Sequence, residues 1–155
     1  MNDKEINIVR SKIAKFCAYR ERAIKEVAVK LRSLGLDEQQ TDLLIIELQT
    51  EGFLNDTRFA KIYSGSKFRL KKWGKLKIKR ELRLKEVSEE DINAGLSEIE
   101  GQTYLETMEN LASTKFNSLK DKNLYIRKNK VASYLISKGY ESELVWGVLN
   151  KLNEA

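Results

Sequence analysis

The sequence has 155 residues, which suffices for one compact domain or for a short array of small repeated units. Its hydrophobic content of 41% excludes an intrinsically disordered chain, and the absence of proline with only 8 glycines argues against a strand-rich fold, which needs frequent turns. There is one cysteine, Cys17, and no histidine, so an internal disulfide, the usual zinc sites and histidine-based catalytic triads are excluded. We therefore predict an all-α protein with no metal, no cofactor and no enzymatic activity.

The composition also bears on localisation. No stretch approaches the roughly 20 apolar residues of a membrane-spanning helix, and residues 1–12 lack the apolar core of a signal peptide. We expect a cytoplasmic protein that makes no membrane contact.

The first predicted elements are one helix and then a helix pair, at roughly 5–19 and within 25–48. Val27 and Leu31 are four residues apart, the spacing of one helical face. Gly35 stands where the first helix of the pair should end, because glycine adopts the left-handed conformation found there. Asp37 follows as the predicted N-cap of the next helix, with Gln40 three residues on. Ser88, with Asp91 three residues on, is the predicted N-cap at the equivalent place in the middle of the chain.

The Gly-Phe-Leu segment at 52–54 is expected to join two repeats, since the glycine can end a helix and the two apolar side chains can fill the gap after it. The next predicted helix covers 55–71, with Asn55 or Asp56 as its N-cap. Four of its side chains are expected to point toward a core: Phe59, Ile62, Tyr63 and Leu70.

The strongest functional candidate is a basic segment in the middle of the chain. Between Lys61 and Lys85, eleven Lys or Arg residues stand against a single acid, Glu81, for a local charge of +10, whereas the rest of the chain carries −4 and the whole chain +6. Two helices meeting at Trp73 and Gly74 are expected to present these charges as one patch, with Trp73 itself in the core. The residues assigned to the patch are Lys67, Arg69, Lys71, Lys72, Lys75, Lys77, Lys79, Arg80 and Arg83. Such a patch would bind nucleic-acid phosphates or an acidic protein surface, and the alternative is a solvated helix face that only maintains solubility.

Internal similarity organises the whole chain. Three segments, at 25–48, 77–99 and 129–152, align without gaps at shifts of 51 and then 53 residues. The aligned apolar columns are Val27, Ile78 and Val131; Leu31, Leu82 and Leu135; Leu36, Val87 and Tyr140; Ile45, Leu96 and Leu149; Leu48, Ile99 and Leu152. One column is imperfect, with Thr41 opposite Ile92 and Val145.

Each aligned segment reads as a helix pair, and a further helix precedes each pair, the last of them at roughly 102–119. We predict three tandem three-helix repeats at 1–54, 55–101 and 102–155, stacked into an elongated, curved array. The alternative is one irregular helical bundle in which the similarity between segments is coincidental.

The middle of the chain resembles the RecX family of recombination regulators. That family shows a Gly-Phe-Leu-Asp-Asp-x-Arg-Phe-Ala core, a basic helix, an aromatic-Gly pair and a helix ending in Glu-Leu-x-x-Lys-Gly-Val. The matching residues here are Gly52, Phe53, Leu54, Asp56, Arg58, Phe59, Ala60, Tyr63, Trp73, Gly74, Ile78, Glu81, Leu82, Lys85 and Val87. Asn55 replaces the first aspartate, and Glu86 replaces a glycine, so the turn at Glu86 is expected to differ from the left-handed turn of the family.

The resemblance implies a protein that acts by binding. RecX-like proteins associate with the RecA recombinase and its nucleoprotein filament on DNA, and they damp recombinase and ATPase activity in recombination, DNA repair and the SOS response. No catalytic residue and no cofactor are carried over. We expect a monomeric regulator of RecA whose basic middle repeat also contacts nucleic acid directly. Two alternatives stay open: a stand-alone helix-turn-helix-like nucleic-acid-binding protein, and a helical scaffold with an ordinary charged surface.

Overall fold

The computed structural model describes residues 1–152 of the chain, and this part forms nine helices and no strand. In chain order they are α1 (Asp3–Tyr19), α2 (Ile24–Ser33), α3 (Glu38–Thr50), α4 (Asp56–Lys71), α5 (Lys75–Leu84), α6 (Glu89–Leu96), α7 (Gly101–Ser118), α8 (Leu124–Ser137) and α9 (Ser142–Leu152). Helices α1–α3, α4–α6 and α7–α9 are the first, middle and third repeats. The predicted all-α fold of three three-helix repeats is confirmed.

The aligned columns form the core of the repeats. In the first column Val27, Ile78 and Val131 are fully buried, and Leu31, Leu82 and Leu135 are fully buried in the second. Of the fifteen residues in the five apolar columns, only Leu96 and Leu152 are partly exposed. The imperfect column is buried as well: Thr41, Ile92 and Val145 have no exposed surface. The repeat in the sequence is therefore a repeat of buried positions.

The second helix of every repeat ends in the same hydrogen-bonded turn. The backbone N–H of Leu36 donates to the carbonyl of Leu31 at 3.3 Å, and Val87 to Leu82 and Tyr140 to Leu135 do so at 3.2 and 3.1 Å. These are the bonds of a Schellman turn, which needs a left-handed residue just before the donor. That residue has a φ of +99° at Gly35, +57° at Glu86 and +101° at Gly139.

The expectation that the turn at Glu86 differs is therefore wrong. Glu86 takes the left-handed conformation although it carries a Cβ, which costs a non-glycine residue free energy. The carbonyl of Leu82 still needs a donor at the end of α5, and the buried side chain of Val87 fixes the path of the chain after the turn. Tertiary burial thus overrides the local preference of residue 86.

The predicted N-caps are present. Asp37 Oδ1 accepts from the backbone N–H of Gln40 at 2.8 Å, and Ser88 Oγ accepts from that of Asp91 at 3.2 Å. Of the two candidates for α4, Asn55 is the cap, because its Oδ1 accepts from the backbone N–H of Arg58 at 2.9 Å. Asp56 is left to bind elsewhere.

Three apolar side chains predicted to lie in the core do not. Ile62 and Leu70 on α4 are 50% and 76% exposed, and Phe53 is 38% exposed, whereas Phe59 and Leu54 are buried. The stripe of α4 that faces the core is narrower than the apolar stripe in its sequence, so the outer members of the stripe face solvent. Apolar residues left singly on a surface are common in folded proteins.

The described chain divides into two compact units that do not follow the repeats. The first contains residues 1–62 and 82–95, and the second contains 63–81 and the chain from Leu96 onward. Each unit therefore holds one terminal repeat together with part of the middle repeat. The repeat boundaries at 54 and 101 stay a prediction.

In the first unit, the start of α2 is capped by a side chain from the middle repeat. The backbone N–H of Ile24 donates to Asp56 Oδ1 at 2.9 Å. Burial raises the pKa of the Asp56 carboxyl, and the N–H of Ile24 partly offsets that rise. Glu26, in the same turn of α2, lies 3.6 Å from Lys85 Nζ. Polar side chains therefore hold the two repeats together at this point.

In the second unit, the start of α5 is capped in the equivalent way by the third repeat. The backbone N–H of Lys75 donates to the hydroxyl of Tyr104 at 2.9 Å, and that hydroxyl donates to Glu141. Burial and the bond to Glu141 raise the pKa of Tyr104, so the hydroxyl stays protonated and serves as a donor. Tyr104 therefore caps the start of α5, as Asp56 caps the start of α2 in the first unit.

The second unit adds a direct backbone contact at the same junction. The backbone N–H of Gly74 donates to the carbonyl of Lys138 at 2.8 Å, and that of Leu76 donates to the carbonyl of Gly139 at 2.9 Å. The turn before α5 and the turn after α8 are therefore paired like two short strands.

Candidate functional site

The predicted basic patch lies at the end of α4 and the start of α5. All of its members except Arg83 belong to the second compact unit. Arg83 belongs to the first unit, where its guanidinium binds both carboxylate oxygens of Glu89, at 2.6 and 3.2 Å. The side-chain hydrogen bond to Glu89 raises the pKa of Arg83. Its charge is thus already paired, and the other members of the patch all lie within the second unit.

Trp73 brings the two helices of the patch together. The ammonium groups of Lys67 on α4 and Lys77 on α5 lie 5.0 and 4.7 Å from the centroid of its ring, and Tyr63 contacts the ring edge-on at 6.4 Å between centroids. An aromatic face attracts cations, which lets two lysines from different helices approach one another. The prediction that Trp73 lies in the core is wrong. Its side chain is half-buried, because one part of the ring contacts these lysines.

The end of α4 is fixed by side chains from the third repeat. Lys138 Nζ donates to the carbonyl of Lys71 at 3.1 Å, and the hydroxyl of Tyr140 donates to the carbonyl of Lys72 at 2.8 Å. Lys72 has a φ of +58°, and its own ammonium donates to the carbonyl of Arg69 at 2.9 Å. The last carbonyls of the helix are thus satisfied by cations and a hydroxyl, which suits the negative end of the helix dipole.

Lys138 adds a cation that the sequence did not assign to the patch. Burial lowers the pKa of its ammonium, and the nearby charge of Lys77 lowers it further. In the sequence alignment Lys138 occupies the column of Lys85, directly before the left-handed residue of the turn. Its place in that column was the only sequence signal for Lys138, and the column does not show which helix the Lys138 side chain contacts.

Four cations of the patch are available for a ligand. The side chains of Arg69, Lys71, Lys79 and Arg80 form no hydrogen bond or ion pair within residues 1–152, and all but Lys79 are exposed. By contrast, Lys67 and Lys77 contact Trp73, and Lys75 Nζ lies 4.8 Å from the ring of Tyr104. The patch thus has an inner set of lysines that contact aromatic rings and an outer set that is exposed to solvent except for the half-buried Lys79.

Other kinds of site receive no support from the described residues. Within 1–152, no three His, Cys, Asp or Glu side chains gather closely enough to hold a metal ion. In the same range, no helix is both long enough and apolar enough to cross a membrane.

Two family models match the chain, RecX second three-helix domain at residues 55–96 and RecX third three-helix domain at residues 102–149. The chain is also 32% identical over 155 residues to the regulatory protein RecX of Clostridium tetani, an alignment that covers 96% of this chain and 70% of that protein. The chain belongs to the RecX family. The RecX protein of Clostridium acetobutylicum, also named a regulatory protein, is 33% identical over 132 residues, covering 83% of this chain. The chain spans 61% of the length of that relative.

The fold is that of RecX as well. The crystal structure of RecX from Lactobacillus salivarius superposes with a TM-score of 0.91 and covers 99% of this chain and 100% of that one, at 22% sequence identity. The resemblance inferred from the residues at 52–87 is therefore confirmed, as is membership of a family of regulatory proteins. The middle and third repeats of this chain correspond to the matched second and third RecX domains.

Proposed function

We propose that this RecX-family chain is a non-enzymatic regulator that binds RecA or its nucleoprotein filament and inhibits recombinase and ATPase activity in recombination, DNA repair and the SOS response. The observation that carries the proposal is the basic patch on a RecX fold. Its outer cations, Arg69, Lys71, Lys79 and Arg80, have no partner among the described residues and lie beside the lysines gathered on Trp73.

The chemistry of the patch favours a polyanion. Ammonium and guanidinium groups that neutralise phosphates release counterions, so the affinity falls steeply with salt and carries no sequence preference. Within a filament, the ligand would be the DNA backbone or an acidic surface of RecA beside it. The regulator would occupy space that a second DNA or a moving protomer needs, which accounts for inhibition without any catalytic group.

The test is charge reversal of the outer set. We expect the variant with Arg69, Lys71, Lys79 and Arg80 changed to Glu to lose binding to RecA assembled on single-stranded DNA, and to stop damping ATP turnover. The matched control reverses four exposed lysines outside the patch, Lys4, Lys12, Lys15 and Lys122, which gives the same change in net charge. Circular dichroism of both variants checks that their helix content is that of the wild type.

Binding is measured to the filament, to DNA alone and to RecA alone. Preferential binding to the filament that only the patch variant loses supports the proposal. Equal binding of both quadruple variants to the filament would remove the patch from the mechanism. Strong binding to naked duplex DNA with ATP turnover unchanged would instead favour the alternative, a stand-alone nucleic-acid-binding protein.

We further propose that the regulator acts as a monomer in the cytoplasm, where its filament partner forms. Sedimentation of the protein alone should give a single species with a mass near 18.0 kDa. A species of twice that mass would contradict the monomer.

A further inference from the structure

A cationic recess lies against the third repeat, and of the residues assigned to the basic patch it contains Lys72 alone. The recess encloses about 350 Å³ between α7, α8 and the end of α4, all within the second compact unit. Lys72 and Lys115 supply its charge, and Leu111 and Tyr134 supply apolar surface. Within residues 1–152, no acidic side chain is among its lining residues.

A second recess adjoins the first. It encloses about 500 Å³ and shares Lys115 and Tyr134 as a common ridge. On its far side lie Leu119, Tyr125 and Ile126, of which Tyr125 is 76% and Ile126 44% exposed. The two recesses therefore offer a cationic half and an apolar half, side by side.

The ridge concentrates positive charge. Lys115 Nζ lies 5.1 Å from the centroid of the Tyr134 ring, which orients its ammonium group. Lys138 Nζ lies 5.6 Å from the same ring but donates to the carbonyl of Lys71, and Lys138 is not among the lining residues of either recess. Lys130 also lines the second recess, but its ammonium is paired with Asp121 at 2.8 Å. The unpaired charge thus sits at the ridge, and it favours a ligand with carboxylates or phosphates.

Some polar groups of the wall favour a peptide over a phosphodiester. The hydroxyl of Thr107 donates to the carbonyl of Thr103 at 2.8 Å, and that of Ser118 donates to the carbonyl of Lys115 at 2.7 Å. The amide nitrogen of Asn129 likewise donates to the carbonyl of Tyr125 at 2.8 Å. Because these donors serve their own helices, the oxygens of Thr107 and Ser118 are left as acceptors on a wall that also contains Asn110, Thr114 and Ser133. A phosphodiester backbone offers only acceptors, whereas a peptide backbone offers N–H donors.

We propose that the paired recesses bind an acidic peptide segment of a protein partner, with a carboxylate at Lys72 and Lys115 and a neighbouring apolar side chain against Leu119 and Ile126. Peptide N–H groups meet the oxygens of Thr107 and Ser118. The surface is separate from the outer cations of the basic patch, so the inference does not depend on the function proposed for that patch.

The test uses a short fluorescein-labelled peptide in which Asp alternates with Leu and Phe, followed by fluorescence anisotropy with the full chain. We expect Lys115→Glu to weaken binding by about tenfold or more, which corresponds to about 1.4 kcal/mol. Ile126→Ser, a change at an exposed position, should also weaken it, through loss of apolar contact. Lys12→Glu is the matched control, since this exposed lysine lies in the first unit and its reversal changes net charge equally.

Each result of the peptide-binding experiment either supports or contradicts the proposal. A peptide with Ser in place of Asp should bind far more weakly, and equal binding would reduce the site to an apolar surface and overturn the proposal. Oligothymidylate that displaces the peptide, and that Lys115→Glu no longer binds, would assign the recesses to nucleic acid instead. The double variant Lys79→Glu, Arg80→Glu reverses the outer cations on α5 and leaves those beside Lys72 unchanged. It should weaken filament binding and bind the peptide as the matched control Lys12→Glu, Lys15→Glu does, so this proposal and the filament proposal fail separately. If Lys115→Glu loses helix content, unchanged binding by the folded Ile126→Ser still contradicts the inference.

Discussion

Gly74 and Gly139 lie so close together that a methyl group added to Gly74 would stand 2.2 Å from the carbonyl carbon of Gly139 and 2.3 Å from the backbone nitrogen of Tyr140. No side-chain rotation can relieve such a clash, because both neighbouring atoms belong to the backbone. The two glycines therefore set how near the turn before α5 comes to the turn after α8.

We expect Gly74→Ala to lower the free energy of unfolding by about 3 kcal/mol, the upper range for overpacking a close contact. Urea unfolding followed by circular dichroism measures the change. Gly147→Ala is the control, because this glycine is inside α9 and no atom of residues 1–152 outside its own helix backbone and chain neighbours lies within 4 Å of the added methyl. Alanine is the better helix former there, so the control should gain about 0.5–1 kcal/mol. An unchanged stability of Gly74→Ala would contradict the close approach.

Replacing Glu86 with glycine should stabilise the protein. Its φ of +57° suits glycine, so we expect Glu86→Gly to raise the free energy of unfolding by about 1 kcal/mol. The variant also loses an exposed ion pair with Lys25 at 3.8 Å, which is worth little. Glu86→Gln separates the two effects, because it removes the charge and keeps the strained backbone. A gain of equal size in both variants would trace the effect to charge rather than to conformation.

Thr41 is the polar member of a buried column. Its side chain is fully buried, and its hydroxyl has no hydrogen-bond partner in the described part of the chain. We expect Thr41→Val, which matches Val145 in the third repeat, to raise the free energy of unfolding by about 1 kcal/mol. Thr57→Val is the contrasting variant, because the hydroxyl of Thr57 donates to Asp91 at 2.5 Å, and it should lose about 1 kcal/mol. Loss of stability in both variants would show that the Thr41 hydroxyl is satisfied in solution.

Asp56 caps the start of α2, and its ionisation makes the stability of the protein depend on pH. Asp56→Ala leaves the N–H of Ile24 without its acceptor and should lower the free energy of unfolding by about 1–2 kcal/mol, whereas Asp56→Asn keeps an acceptor oxygen. Burial raises the pKa of Asp56, and repulsion by Asp91 and Glu26 adds to the rise. The folded protein therefore holds the Asp56 proton more tightly than the unfolded chain does.

That difference fixes the sign of the pH effect. The stabilisation by protonated Asp56 is fully present below the ordinary pKa of 3.8 and is lost as the pH rises through the higher pKa of the folded protein. We expect the stability of the wild type relative to Asp56→Asn to fall over that interval, measured by urea unfolding at a series of pH values. A rise over the same interval would mean that the carboxylate is stabilised by its neighbours.

Tyr104 is the counterpart of Asp56 at the second junction. Tyr104→Phe removes the acceptor for the backbone N–H of Lys75 and the donor to Glu141, both partly buried. We expect a loss of about 1–3 kcal/mol in the free energy of unfolding. Tyr125→Phe removes a hydroxyl that is 76% exposed and should change stability by less than about 0.5 kcal/mol. Equal effects of the two changes would argue against a capping role for Tyr104.

The sequence alone predicted the features that depend on periodicity. The buried columns, the paired helices and the caps at Asp37 and Ser88 all rest on short-range patterns, and the structure contains them. Positions that depend on distant parts of the chain were not predictable in this way. The left-handed Glu86 follows from the burial of Val87, which no local propensity encodes.

The same reasoning separates what was foreseen at the candidate site from what was not. A run of lysines in the sequence predicted a patch, but only the fold puts Lys67 and Lys77 on one indole ring. Lys115 and Lys138 are far from that run in sequence, so their meeting at Tyr134 could not be read from charge counts. Side-chain patterns describe one helix at a time, whereas these sites form between helices.

The residues that cap the second helix of each repeat affect how the number of repeats could change. The second helices of the first two repeats borrow their caps from a successor, through Asp56 and Tyr104, whereas α8 is capped within its own repeat, where Asn123 Oδ1 accepts from the N–H of Ile126 at 3.1 Å. A duplicated middle repeat inserted before Gly101 would bring its own Asp56 to the preceding α5 and would itself be capped by Tyr104. Growth by duplication is therefore locally self-consistent, whereas the start of α8 takes its cap from Asn123 within the same repeat.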